Sequence, residues 1–193
     1  LLDVERRSAG PVLGEDALST SILAAIIGIL LVMLFMIIIY RLPGIVASIS
    51  LAAYVVIVLL VMVATRANLS LPGIAGIILS IGMAVDANVI IFERIKDELR
   101  LGKTTGAAMK AGFNRALSAI MDGNITTIIV AVVLYIFGTG TIKGFAFTLG
   151  IGIIVSLFTA IIITRFLLKA IFDLNLRNPV LYGLSKKAAK EEK

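Results

Sequence analysis

The sequence contains no cysteine and no histidine, and only 16% of its 193 residues are charged. Zinc, haem and thiol chemistry therefore lack their usual ligands and nucleophiles, and no imidazole is available as a proton relay. Ordinary soluble domains carry about a quarter of their residues as Asp, Glu, Lys or Arg. The shortage of charge places the chain outside that class, and neither a cofactor nor a bound metal is expected.

The sequence contains more long apolar runs than soluble domains do. It is 60% hydrophobic with a mean hydropathy of +1.09, and runs such as SILAAIIGILLVMLFMIII are long enough to cross a bilayer. Short polar turns divide the apolar sequence into segments. The predicted fold is an all-α, polytopic transmembrane helix bundle with five spans, at about 18–40, 44–65, 71–95, 119–137 and 142–168.

The basic residues indicate how the spans are oriented. With the amino terminus outside, fourteen of the 18 Lys and Arg residues fall on the inner side and four on the outer side. The positive-inside rule therefore predicts an external amino terminus and a cytoplasmic carboxy terminus. Residues 1–17 are predicted to end an external domain, 18–170 to form the bundle, and 171–193 to be a basic cytoplasmic tail. Because these charges flank membrane helices and lack interleaved aromatics, the expected partner is the lipid bilayer and not nucleic acid.

The longest polar connection, residues 96–118, lies on the predicted inner side. Its apolar residues recur at helical spacing opposite Lys110 and Arg115; they are Ala108, Gly112, Phe113, Ala116, Leu117 and Ile120. This pattern is typical of an amphipathic helix lying along the membrane surface. A solvated connector helix without a function of its own fits the pattern as well.

Small residues form a row along one face of the last predicted span. They recur at every fourth position: Gly144, Thr148, Gly152, Ser156, Ala160 and Thr164. Such a row lets a second helix approach closely, as helices in lipid do when they associate. The third span has a shorter row, Gly76, Ser80, Ala84 and Asn88. The rows predict close packing within the bundle, and they are also compatible with an interface along which helices slide.

One carboxylate, Asp86, lies in the middle of an apolar segment, within the run GMAVDANVIIFERI. A charge near the bilayer centre costs at least ~3 kcal/mol. Glu93 and Arg94 can extend to the membrane surface, but Asp86 cannot. No Lys or Arg of the sequence is expected at its depth, so Asp86 is protonated much of the time, hydrated, or paired with another chain. A carboxylate that changes charge at this depth is a proton-coupling element; a purely structural hydrogen bond to a neighbouring helix is the alternative.

A second acid, Asp122, begins the polar stretch DGNITT at the inner end of the fourth predicted span. Two roles fit it. It either caps the amino terminus of that helix, or it lines the inner half of a hydrated path together with Asn124, Thr126 and Thr127.

The sequence does not predict an enzyme. Intramembrane aspartyl proteases carry Tyr-Asp on one helix and Gly-x-Gly-Asp on the next, whereas here Asp122 follows Met121 and Asp86 follows Met-Ala-Val. The sequence also has no Gly-x-Ser-x-Gly motif and no phosphate-binding loop.

Two long segments and one short one resemble the SecD family of bacterial protein-export membrane subunits, in the family's order: GMAVDANVIIFERIKDELRLGKT, the short DGNITT, and GTGTIKGFAFTLGIGIIVSLFTAI. The resemblance implies half of a transmembrane domain of the resistance-nodulation-division superfamily, driven by protons that move inward. The family's functional aspartate falls on Asp86, and the polar start of its next helix falls on Asp122, Asn124 and Thr127. With Asn88, which follows in the same stretch, these are the predicted ion-coupling residues.

The resemblance also implies the partners. SecF, in the same bacterial plasma membrane, would supply the cation for Asp86. An external domain would contact a SecYEG-type translocon and the preprotein. The family's first helix and most of that domain are missing, so a five-helix carboxy-terminal portion is expected. Two other functions stay open: half of a proton-driven small-molecule or lipid exporter of the same superfamily, and a scaffold that does not need Asp86. The sequence also leaves open whether the ion is H⁺ or Na⁺.

Overall fold

The computed structural model describes residues 11–67 and 70–173, and nearly all of them are helical. Much of the predicted external end and of the predicted cytoplasmic tail lies outside the described residues. The long helices are α1 (Pro11–Tyr40), α2 (Leu42–Ala64), α3 (Leu71–Arg100), α4 (Thr105–Phe137) and α5 (Gly140–Phe158). A π-helical segment, Thr159–Thr164, continues α5 into α6 (Arg165–Asp173).

Five helices in the described part of the chain are long and apolar enough to cross a membrane, the fifth being the continuous unit from Gly140 to Phe172. This confirms the predicted all-α, polytopic bundle. The helices differ in how much of their surface the bundle covers. Half of the most apolar stretch of the fifth unit is buried, against 6% for α1 and 11% for α4. The fifth unit is therefore the centre of the bundle, and α1 and α4 lie at its edge.

The connection between α3 and α4 is shorter than the sequence predicts. It consists of residues 101–104 alone, because α3 extends to Arg100 and α4 begins at Thr105. The prediction of a separate helix along the membrane surface is wrong, since its apolar residues form the first turns of α4. Those buried in the core are Ala108, Gly112, Phe113, Ala116 and Ile120. A Cβ added to Gly112 would lie 2.6 Å from the backbone of Ile95, which shows how closely α3 and α4 approach.

A sharp turn joins α1 to α2. Arg41 has a φ of 54°, in the left-handed region that residues with a Cβ seldom occupy. Pro43 follows in the first turn of α2, where its missing N–H leaves no helical hydrogen bond unmade. A Cβ on Gly44 would overlap the backbone of Met36. The two helices consequently form a tight antiparallel hairpin.

The two rows of small residues meet where α3 packs against α5. A Cβ added to Gly76 would be 2.5 Å from Thr148 Oγ1, and one added to Gly152 would overlap the Ser80 side chain. The buried members of the long row are Thr148, Gly152, Ser156, Ala160 and Thr164, and Gly144 is partly buried. The rows therefore lie in a packed helix contact, and sliding along it stays a prediction.

We expect Gly152→Ala to destabilise the bundle, because the new methyl group would overlap Ser80 in this contact. Overpacking of this kind typically costs about 1–3 kcal/mol. Gly82→Ala is the matched control, since a Cβ there would meet nothing within 4 Å. It should be neutral or stabilising by up to about 1 kcal/mol. Thermal unfolding in detergent measures both variants, and equal melting temperatures would contradict the close α3–α5 contact.

Candidate functional site

Asp86 lies at the centre of α3, fifteen residues after Leu71 and fourteen before Arg100. At ~1.5 Å per residue, each end of the helix is roughly 20 Å away. Asp86 is exposed on the surface of this chain, whereas Ala84 and Asn88, two residues to either side, are buried. Residues two apart on a helix do not share a face. The carboxyl group therefore points away from the contact with α5.

Asp86 lines a cavity of about 190 Å³ between α3 and α4. The other lining residues are Met83, Ala87 and Ile90 of α3 and Ala119, Ile120, Gly123, Asn124 and Thr127 of α4. Gly123 leaves space in the α4 wall, since a Cβ there would meet nothing within 4 Å. We refer to this cavity as the Asp86 groove.

Two polar side chains of α4 share the groove with Asp86, and each donates a hydrogen bond to its own helix. Asn124 Nδ2 donates to the Ile120 carbonyl at 2.7 Å, and Thr127 Oγ1 donates to the Gly123 carbonyl at 3.1 Å. The hydroxyl oxygen of Thr127 and the amide oxygen of Asn124 remain acceptors. Acceptors suit a protonated carboxyl group, which has an O–H to donate.

Asp122 lies outside the groove, although it is at the same depth as Asp86. It is fifteen residues before the end of α4 and seventeen after its start. The helix-capping role considered for it is therefore wrong, and Thr104 occupies the capping position. Asp122 is exposed on a different side of α4, and its carbonyl accepts a hydrogen bond of 3.0 Å from Thr126. Its role in a hydrated path stays a prediction.

Asn88 turns into the interior of the bundle and is only 3% exposed. Its side-chain oxygen accepts a hydrogen bond of 2.7 Å from Thr164, in the π-helical segment. Ser50 of α2 lies 2.8 Å from the same Thr164 hydroxyl. Because Thr164 has one hydroxyl hydrogen, Ser50 must be the donor to Thr164. This Ser50–Thr164–Asn88 chain joins three parts of the bundle and separates Asn88 from Asp86.

Sequence reasoning missed the part that α2 plays in these buried polar contacts. Besides Ser50, the fully buried Tyr54 donates a hydrogen bond of 2.7 Å to Ser80 of α3. Ser50 and Tyr54 are four residues apart, so they share one face of α2. The spacing of Ser50 and Tyr54, two of the three polar residues in this span, is the signal that would have identified this face.

None of the described Lys and Arg residues forms an ion pair with Asp86. Ion pairs gather instead where α3 ends and α4 begins. There Lys103 and Arg115 both contact Glu98, with Arg115 Nη1 at 2.6 Å from Glu98 Oε1. Glu98 is fully buried, and sequence reasoning did not single it out, because its charged neighbours are typical of a solvated helix end.

The groove is suited to binding and releasing a proton or a single cation at one carboxylate. Within residues 11–67 and 70–173, no three His, Cys, Asp or Glu side chains are grouped so that they could hold a metal ion. The fold and the groove define a class of protein, a multi-pass membrane bundle that presents one carboxylate at mid-depth on its α3–α4 face.

The chain belongs to the SecD/SecF family. Residues 3–173 match the family model described as the carboxy-terminal part of the protein export membrane protein SecD/SecF. The match covers most of the chain and includes all five membrane-spanning helices.

Three curated relatives, each named protein translocase subunit SecD, are similar over most of this chain. The relative from Acidaminococcus fermentans is 52% identical and is matched over 93% of this chain and 43% of its own length. The relative from Synechocystis is 52% identical over 87% of this chain and 36% of its own length. The relative from Desulfurispirillum indicum is 55% identical over 89% of this chain and 32% of its own length.

The fold is also similar to crystal structures of SecDF. The structure from Thermus thermophilus, described as a translocon-associated membrane protein, superposes with a TM-score of 0.83 and 42% identity. A second structure, SecDF in the super-membrane-facing form, gives a TM-score of 0.80. Each superposition covers 86% of this chain and 23% of the other. The chain thus spans less than half the length of the proteins it matches.

We expect Thr164→Val to destabilise the bundle by about 1 kcal/mol, within the range measured for hydrogen bonds between membrane helices. Valine keeps the shape but leaves Ser50 and Asn88 without their shared partner. Thr126→Val is the matched control, because that hydroxyl is exposed and bonds only within α4. Unfolding in mixed micelles measures both. If Thr164→Val costs no more than the control, the buried chain does not hold the helices together.

Proposed function

We propose that this chain is the membrane-embedded portion of a SecD-like subunit of the bacterial protein translocation machinery, and that together with SecF it couples the proton motive force to preprotein export. The names of the relatives support the translocase assignment. One observation carries the coupling role. Asp86 is exposed at the mid-depth of α3, in a polar groove, without a basic partner among the described residues.

The exposure of Asp86 supports a protein partner on the α3–α4 face. An ionised carboxylate facing hydrocarbon would cost at least ~3 kcal/mol. A subunit that covers the groove and brings a cation to the same depth would remove this cost. In this proposal the subunit is SecF. A SecYEG-type translocon and the preprotein are met through the external domain of the full-length protein, as the translocon association stated for the related SecDF structure suggests.

The two protonation states of Asp86 would favour different contacts. The protonated carboxyl can donate its hydrogen to an acceptor in the groove, such as the Thr127 oxygen. The ionised form is drawn towards a cation on the partner. Each gain or loss of a proton therefore biases the interface between two arrangements. Alternation between them would transmit the energy of the ion gradient to the external domain.

The charge distribution supports an external amino terminus and a cytoplasmic carboxy terminus in the plasma membrane. The sequence assigns fourteen of its 18 basic residues to the side that this orientation makes cytoplasmic. Protons entering from outside would then reach Asp86 about halfway through the bilayer.

Replacing Asp86 by Asn in the full-length protein tests the coupling role. Asparagine keeps the size and polarity of the side chain but cannot change charge. We expect the gradient-dependent part of preprotein export to be lost while assembly with SecF is retained. The measurement is the export rate into reconstituted vesicles without a gradient, with a proton gradient, and with a sodium gradient, which also identifies the ion.

Asp97→Asn is the matched control. Asp97 is an acid on the same helix, but it is partly exposed at the helix end and pairs with Arg94 and Arg100. It should retain gradient-dependent export. If Asp86→Asn exports normally, the chain acts as a scaffold. If Asp86→Asn fails to assemble, Asp86 serves subunit packing and not coupling.

A further inference from the structure

A second cavity, of about 270 Å³, lies between the first turns of α4 and helix α6, far from Asp86. Three exposed basic residues line this cavity: Lys110 of α4 and Arg165 and Lys169 of α6. Its remaining lining is largely apolar and includes Phe113, Leu168 and Phe172. We refer to it as the basic cavity. It combines concentrated positive charge with a surface that suits hydrocarbon.

The charges of the basic cavity are not paired with opposite charges within the described part of the chain. Neither Lys110, Arg165 nor Lys169 forms an ion pair with a described carboxylate. Arg165 is held in place instead by an aromatic ring, since its guanidinium lies 5.3 Å from the centre of the Phe113 ring. The charge of the cavity is therefore available to an anion from outside the described bundle.

The helix lengths place the basic cavity in the headgroup layer of the membrane. α4 and α5 meet at their opposite ends, near Phe137 and Gly140. Lys110 lies 27 residues before Phe137, and Arg165 lies 25 residues after Gly140. At ~1.5 Å per residue both distances are about 40 Å, close to the thickness of a bilayer with its headgroups. This placement holds whichever side of the membrane the cavity faces.

The apolar wall is built by a close contact between the two helices. A Cβ added to Gly106, at the start of α4, would come within 2.8 Å of the Phe172 ring of α6. The missing side chain lets the ring lie against α4 and form the wall beside the cations. An acyl chain can pack on such a wall, whereas a free inorganic anion gains nothing from it.

We propose that the basic cavity binds the phosphate headgroup of an anionic phospholipid, with the acyl chains along the apolar wall. Basic pockets between helices at the membrane surface are suited to such headgroups, and each Lys or Arg near the surface contributes about 1 kcal/mol. Each cation removed should therefore weaken binding about fivefold. Removing all three should weaken it about 100-fold at low salt.

Native mass spectrometry of the full-length protein in mild detergent tests this, with phosphatidylglycerol and phosphatidylcholine as probes. The wild type should bind phosphatidylglycerol at least tenfold more tightly than phosphatidylcholine, because each of the three cations strengthens binding of the anionic lipid about fivefold. The triple variant K110Q/R165Q/K169Q should lose this preference. The control variant R94Q/K96Q/R100Q loses the same charge from α3 near the same end of the bundle but outside the cavity, and it should keep the preference.

Three results would overturn the proposal. They are equal binding of the two lipids by the wild type, an equal loss in both triple variants, and displacement of the lipid by inorganic phosphate at matched ionic strength. Equal binding of the two lipids would also result if another part of the protein filled the cavity, and displacement by inorganic phosphate would indicate a soluble phosphate ligand.

If the triple variant does not fold, two double variants test the same proposal. K110R/K169R should bind phosphatidylglycerol like the wild type, and K110Q/K169Q should bind it about 25-fold more weakly. Equal binding by these two would overturn the proposal as well.

Discussion

The close contact between α3 and α5 is the constraint on which the rest of the bundle depends. Lipid offers no hydrophobic drive for helices to associate, so a contact that brings two backbones together must supply much of the stabilisation. Here Gly76 lies against Thr148, and Gly152 lies against Ser80. The contact runs along the central unit of the bundle, and it fixes how α3 is rotated about its own axis. This rotation in turn determines the direction in which every other side chain of α3 points.

That rotation explains why Asp86 is exposed. The packed row of α3 includes Ala84 and Asn88, and a residue midway between them points to the other side of the helix. The helix cannot turn Asp86 inwards without breaking the contact with α5 and the hydrogen bond between Asn88 and Thr164. The carboxyl group is thus held towards α4 and the surface by interactions in which it takes no part. A second subunit on this face would find it already oriented.

Much of this arrangement could be predicted from the sequence, and the failures have physical causes. Hydropathy and small-residue spacing indicate the spans and the packed rows, because both are local and periodic. Asn88 was grouped with Asp86 because it lies two residues further along the sequence, and Asp122 because the family resemblance places it in the polar start of the next helix. Rotation about the helix axis separates them, and only tertiary packing sets that rotation. Ser50 and Tyr54 were missed for a related reason, since the contacts that use them lie on other helices, at Thr164 and Ser80.

Two carboxylates of α3 show that burial alone does not identify a functional acid in a membrane protein. Glu98 is fully buried, yet Lys103 and Arg115 reach it, so its charge is matched within the chain. Asp86 is exposed, but its surroundings are the middle of a bilayer, and no described cation reaches it. Exposure is favourable for a charge only where water is present. Of these two acids of α3, the exposed one is therefore the one without a basic partner among the described residues, and this marks the α3–α4 face as a place where the chain needs something from outside itself.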